Sequence, residues 1–143
     1  MDLIAPEVLA LPDSYLNKMY EYGYQVRIFS SVDDYLKQSQ HAPIRYWTRV
    51  QIERMGEDII KQEYKIRQAI TCRPDHIDKL DLSKIKFYHP LPRHKVTPVI
   101  PTRLDDTSLN GWETQSRNGM FMRIILLAAT AGVPYVIDGF QGE

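Results

Sequence analysis

Two short stretches hold side chains whose types and spacing could handle a small anionic substrate with an amine. The first is Thr48-Arg49-Val50-Gln51. In an extended chain successive side chains alternate between faces, so Arg49 and Gln51 point the same way. A guanidinium grips a carboxylate through two parallel N–H donors, and a carboxamide beside it both donates and accepts. At this level a plainer alternative stays open, with Arg49 forming a surface ion pair with Glu53 or Glu57.

The second stretch is His89-Pro90-Leu91-Pro92-Arg93. Two prolines around one leucine remove two backbone donors and stiffen the chain. The carbonyls of Pro90 and Leu91 are then left without neighbouring amides to occupy them, and fixed carbonyls can accept hydrogen bonds from an ammonium or amine. A rigid connector would carry the same residues. His89 by itself reads as a structural histidine, and His41, His76 and His94 have no partners identifiable in sequence.

Both stretches need a scaffold, and the composition limits which. A chain of 143 residues, 43% hydrophobic and 25% charged, fits one globular domain. Eighteen basic residues balance eighteen acidic ones, which removes the electrostatic case for nucleic acid or an anionic membrane surface. The single cysteine, Cys72, has no partner for an internal disulfide, and no Cys/His cluster has zinc spacing. The opening residues lack the basic start and apolar core of a signal peptide, and the longest nearly apolar run, Ile124 to Val133, is too short to span a bilayer. A cytoplasmic setting is the expectation.

The elements alternate. Leu3 to Ala5 reads as a strand ended by Pro6, followed by a helix from Pro12-Asp13 that Gly23 closes. Tyr24 to Phe29 reads as a second strand, and Ser31 with Asp34 starts a short helix. A third strand is expected over about Ile44 to Val50, a helix over Glu57 to Ile70, and a fourth strand over Ile85 to Tyr88. Val96 to Thr107 has no clear period and reads as loop or extended chain. Glu113 to Ala131 reads as a long helix closed by Gly132, with Pro134 beyond it. Strands separated by helices imply parallel pairing, hence an α/β fold with an open parallel sheet and helices on both faces. The loop from Pro6 to Pro12 contains no glycine, which excludes a dinucleotide-type phosphate cradle.

Taken in order, four segments resemble the aspartate carbamoyltransferase family. They are Ile4-Ala5-Pro6-Glu7 with Leu9-Ala10-Leu11-Pro12, then Tyr46 to Arg54, then His89 to Arg93, then Gln115 to Arg123. The likeness runs from about Leu3 to Gly132. It implies that residues 1–132 form the C-terminal, aspartate-binding domain of the catalytic chain, a Rossmann-like fold, with 133–143 a tail or the start of a linker. It implies that Arg49 and Gln51 bind the carboxylates of L-aspartate, and that Pro90 and Leu91 aim backbone carbonyls at the attacking amine across a cis Leu91–Pro92 bond. Sister enzymes acting on ornithine carry cysteine in place of the first proline of this segment, so Pro90 favours aspartate.

The same resemblance says what is missing. The family's carbamoyl-phosphate machinery (an STRTR motif at a helix start, a later arginine and an HPTQ-like histidine) does not occur in this sequence. The expectation is therefore an aspartate-binding half that is inactive alone and partners a carbamoyl-phosphate-binding domain in the same or a separate chain. The complete enzyme would be a trimer, and no metal or organic cofactor is implied. Ile52 departs from the family's usual lysine, the segment between Arg93 and Asp105 is longer, and Asn110-Gly111-Trp112 replaces an aromatic pair. The rival reading is a non-catalytic module that binds an amino acid or a protein. The last helix, with Met120, Phe121, Ile124, Ile125, Leu126 and Leu127 on more than one face, predicts an exposed apolar patch and self-association of the isolated domain.

Overall fold

The computed structural model describes residues 1–133, the side chain of Glu53 excepted. The pairing of Arg49 with Glu53, the role of Pro134 and nearly all of the 133–143 tail therefore lie outside the described residues. The element order is β1 (Asp2–Ile4), α1 (Asp13–Glu21), β2 (Arg27–Phe29), α2 (Val32–Leu36), β3 (Ile44–Tyr46), α3 (Glu57–Ile60), α4 (Glu63–Ile70), α5 (Pro74–Ile77), β4 (Lys86–Tyr88) and α6 (Trp112–Thr130). Four single turns of 3-10 helix lie between them, at Glu7–Leu9, Ile52–Arg54, Leu82–Lys84 and Thr102–Leu104. No helix among the described residues is long and apolar enough to cross a membrane.

Helix ends follow local chemistry. Gly23 sits at φ +80°, its N–H bonded to Tyr20 O while the Tyr24 N–H reaches Met19 O, the paired closure that a left-handed residue after a helix allows. Gly132, at φ +70°, closes α6 in the same way: its N–H bonds Ala129 O and that of Val133 bonds Ala128 O. At the start of α2 the Ser31 hydroxyl accepts the Asp34 N–H at 3.1 Å.

The parallel α/β pattern is present. Among the described residues the strands are joined by hydrogen bonds as two pairs, β1 with β2 and β3 with β4, both parallel. In the second pair Ile44, Arg45 and Tyr46 stand opposite Lys86, Phe87 and Tyr88. β3 is shorter than its sequence predicts. The Trp47 N–H makes one more bond, to Tyr88 O at 2.9 Å. The next N–H of this chain to face β3 would be that of Pro90, which has none, so the ladder cannot continue. Thr48 to Gln51 is thus irregular chain, and strand alternation does not govern where Arg49 and Gln51 point.

The helix expected over Glu57 to Ile70 is two helices. Gln62 N–H bonds Ile59 O, a tightened turn that closes α3, and a fresh start places Ile66 in the interior at 1% exposure. α5 has no counterpart in the sequence reading.

The main core gathers Cys72, Ile85, Phe87, Val99, Ile100, Leu104, Leu109 and Trp112. Val99, Ile100 and Leu104 come from the segment read as loop. Burying a side chain such as Ile100 stabilises the fold by about 1.5–3 kcal/mol, although the backbone around it is irregular. The Val99 carbonyl accepts the Cys72 N–H at 2.8 Å, tying this segment to the chain between α4 and α5. On α6, Met120, Met122, Ile124, Leu126 and Leu127 are exposed, while Trp112 and Ala128 are buried.

Candidate functional site

Because β3 and β4 run parallel and in register, their C-terminal ends lie side by side, and each feeds one of the two chemically marked stretches. Thr48 to Gln51 leaves β3 and His89 to Arg93 leaves β4. Trp47 separates them. Its ring packs on Phe87, centroids 5.2 Å apart, and both Trp47 and Leu91 rest on the main core.

Arg49 and Gln51, both half-buried, line a cavity of about 800 Å³. Its other walls include Leu3 and Ile4 of β1, Tyr35 of α2, and Met55 and Ile70. Leu91 lines a different depression of about 510 Å³, with Arg93, Asp105, Trp112, Ser116 and Arg117. Pro90 is exposed and lines neither. The four residues picked from sequence are therefore at one edge of the same strand pair, with Arg49 and Gln51 in one concavity, Leu91 in another and Pro90 on the exposed surface.

The His89 to Arg93 turn is held from inside. The Leu91–Pro92 bond is cis, and Leu91 has φ +41°. The left-handed region costs a residue with a side chain about 1–2 kcal/mol, so surrounding contacts must keep it there. The Leu91 N–H donates to His89 Nδ1 at 2.9 Å. With Nδ1 acting as acceptor, the neutral ring carries its hydrogen on Nε2, which is buried without a partner among the described residues. Burial, and then the charge of Arg93, hold the His89 pKa below its ordinary value. Arg93 itself donates to Asp105 Oδ2 at 2.7 Å and lies over the Trp112 ring.

Two residues that the chemistry-first reading missed complete the frame. Gln115, in the first turn of α6, accepts the His89 N–H at 3.1 Å and donates through Nε2 to the Tyr46 hydroxyl at 3.0 Å. One carboxamide so joins the end of β3, the start of the proline turn and α6. Its spacing of three from buried Trp112 was the available signal, since it puts both on one helix face. The other is Arg45, only 8% exposed and lining the larger cavity. Its guanidinium lies 5.3 Å from the Tyr35 ring and 5.7 Å from that of Phe87, and burial lowers its pKa. Along β3 Ile44 and Tyr46 are exposed and the arginine between them is buried.

Among the described residues one group has the composition of a metal site, Asp33, Asp75 and His76. It does not fit one. Arg73 forks onto both oxygens of Asp33, at 2.8 and 2.6 Å, and also reaches Asp75 at 3.1 Å. His76 accepts the Arg73 N–H at Nδ1 and therefore donates from Nε2 to Asp33, leaving no lone pair for a cation. Arg73 first, and then His76, hold the Asp33 carboxyl well below the usual carboxylate range. The cluster ties α2 to α5.

No family model matches the chain. Relatives do. It is 52% identical over 132 residues to Protein PyrBI of Thermotoga maritima and 53% identical over 142 residues to Protein PyrBI of Treponema denticola. These alignments cover 92% and 99% of this chain but 25% and 26% of the relatives. It is also 35% identical over 126 residues to the aspartate carbamoyltransferase catalytic subunit of Aliivibrio fischeri, covering 87% of this chain and 37% of that protein. The chain thus spans about a quarter to two-fifths of the length of the relatives it matches. Among solved structures, aspartate transcarbamoylase from Trypanosoma cruzi in complex with carbamoyl phosphate superposes with a TM-score of 0.70 at 26% identity, over 88% of this chain and 38% of that one. The catalytic subunit of the M. jannaschii enzyme, at 22% identity and a TM-score of 0.72, shares the fold. In sequence and in fold, the chain is a homologue of one part of the aspartate carbamoyltransferase catalytic chain.

Proposed function

We propose that this chain is the aspartate-binding half of an aspartate carbamoyltransferase. The reaction is attack of the L-aspartate amine on carbamoyl phosphate, giving N-carbamoyl-L-aspartate and phosphate in pyrimidine biosynthesis. The observation that carries the reading is the register of β3 on β4, which sets an arginine–glutamine pair and a proline-stiffened turn at one strand edge. Open parallel α/β folds bind their ligands there, outside the carboxyl ends of the strands. The relatives add support, and among the similar solved structures one Trypanosoma cruzi complex holds carbamoyl phosphate together with aspartate.

In this reading Arg49 forks onto a carboxylate of aspartate, and Gln51 orients it from the same cavity wall. Pro90 and Leu91 offer carbonyl oxygens to the amine, helping to hold it in line for attack. The chain supplies no phosphate-binding motif, and a transition state with a phosphate leaving group and a developing oxyanion needs preorganised positive charge and donors. A carbamoyl-phosphate-binding domain, in the same or a separate chain, completes the site, and the working assembly is a trimer in the cytoplasm. Much of the rate comes from holding both substrates together, so this chain alone is inactive.

The test is formation of carbamoyl aspartate by the purified chain, with and without a separately supplied carbamoyl-phosphate-binding half. Activity in the mixture only is expected. Activity from the chain alone would overturn the division of labour, and none in either sample would overturn the assignment.

A further inference from the structure

Leu91 is held in a region of backbone space that a branched side chain avoids, at φ +41°. Residues kept there against local preference gather where a fold presents groups to a ligand. Between Pro90 and Pro92, Leu91 supplies the only backbone N–H, so a single hydrogen bond decides how this segment is anchored. That bond goes to His89 Nδ1 at 2.9 Å. His89 is in turn fixed at both ends: its ring is buried, at 1% exposure, and its own N–H is taken by Gln115, which is braced against the Tyr46 hydroxyl. The imidazole has no exposed edge with which to meet a substrate.

Building on the function proposed above, we propose that His89 is the positioning residue of the site. By holding the Leu91 amide it sets the direction of the Pro90 and Leu91 carbonyls toward the attacking amine. It touches neither substrate. Its work is done through Leu91, and it requires an acceptor at the place of Nδ1.

The substitutions that isolate this role are His89→Asn, whose side-chain oxygen falls near the place of Nδ1, and His89→Leu, which has no acceptor. His89→Gln, whose carboxamide reaches the place of Nε2 instead, serves if the leucine variant does not fold. Each is made in the complete protein that carries this chain, and initial rates are measured with either substrate varied. For His89→Leu or His89→Gln, kcat/KM for aspartate falls about tenfold or more while KM for carbamoyl phosphate stays within about twofold, and His89→Asn recovers most of the loss. Hydrogen exchange at the Leu91 amide is slow in the wild type and in His89→Asn and faster in the other two.

A leucine or glutamine variant with wild-type kcat/KM for aspartate overturns the role. So does an equal loss toward both substrates, or unchanged exchange at Leu91. A wild-type protein that makes no carbamoyl aspartate overturns the functional reading, and this role with it. A wild type that is active beside an unaffected His89→Leu overturns the role alone.

Discussion

The side-chain oxygen of Gln115 takes the backbone N–H of His89 at 3.1 Å, across 26 residues of sequence. This N–H lies on the side of β4 away from β3, the same side on which the Phe87 N–H bonds Leu109 O. Its bond to Gln115 ties the start of the proline turn to α6. Replacing Gln115 with leucine keeps the volume but leaves a donor in the interior without an acceptor, at a cost of about 1–3 kcal/mol. Gln115→Glu keeps an acceptor and should lose less. Urea denaturation of the two variants beside the wild type measures the difference. Equal stability of Gln115→Leu and wild type would remove Gln115 from the frame.

Arg49 lines the larger cavity and lies outside both hydrophobic clusters. Arg49→Ala removes no side chain of either cluster. In the reassembled enzyme it should lower kcat/KM for aspartate by about a hundredfold or more, the usual loss when one side of a charge-assisted pair is truncated. A non-catalytic module would lose only its own ligand. Wild-type turnover in the variant would end the case for a carboxylate held at this position.

His89 makes stability depend on pH in a predictable direction. Burial holds its folded pKa below the unfolded value, so the fold favours the neutral ring, and its contribution is complete above about pH 6.5. As pH falls through 6.5 the unfolded chain gains a proton that the fold resists, and stability declines by at most about 1.4 kcal/mol per pH unit from this group. A protonated ring would also lose the Nδ1 lone pair that holds Leu91. Unfolding free energy followed from pH 8 to pH 5 should show this slope in the wild type, and less of it in His89→Asn. Parallel profiles for the two proteins would refute it.

Gly111 joins the end of β4 to α6 at very close range. Its N–H bonds Phe87 O, and a Cβ at this position would lie 2.7 Å from that oxygen and 2.9 Å from the Tyr88 ring. Neither the carbonyl nor the half-buried ring can withdraw without disturbing β4, so Gly111→Ala should destabilise by about 2–4 kcal/mol. A drop of less than about 0.5 kcal/mol in calorimetry would show that the joint has room for a methyl group.

Cys72 is 1% exposed, and burial pushes its thiol up to about 11. At pH 8 it is a buried thiol with little thiolate, so iodoacetamide should label it only at the rate of unfolding. Labelling that is fast in buffer and no faster in urea would contradict its place in the core.

Features that depend on short-range sterics and local hydrogen bonds are legible in the residues alone. Gly23 and Gly132 end their helices because each takes a positive φ, and Ser31 starts α2 because its hydroxyl reaches the Asp34 N–H. The prolines at 90 and 92 stiffen the turn wherever it is placed. Alternation of strand and helix was enough for a parallel α/β class. Other features depend on partners distant in the chain. Val99, Ile100 and Leu104 carry no period, yet they fill the core because the chain around Cys72 and β4 leaves space for them. Arg45 is buried against Tyr35 and Phe87, where aromatic faces receive its charge. Gln115 reaches Tyr46 over 69 residues, and Arg49 and Leu91 open into separate hollows. Local patterns fix how each segment can bend. Only packing fixes which segments meet, because a contact across a long loop exists once the core has closed and has no signature in the residues beside it.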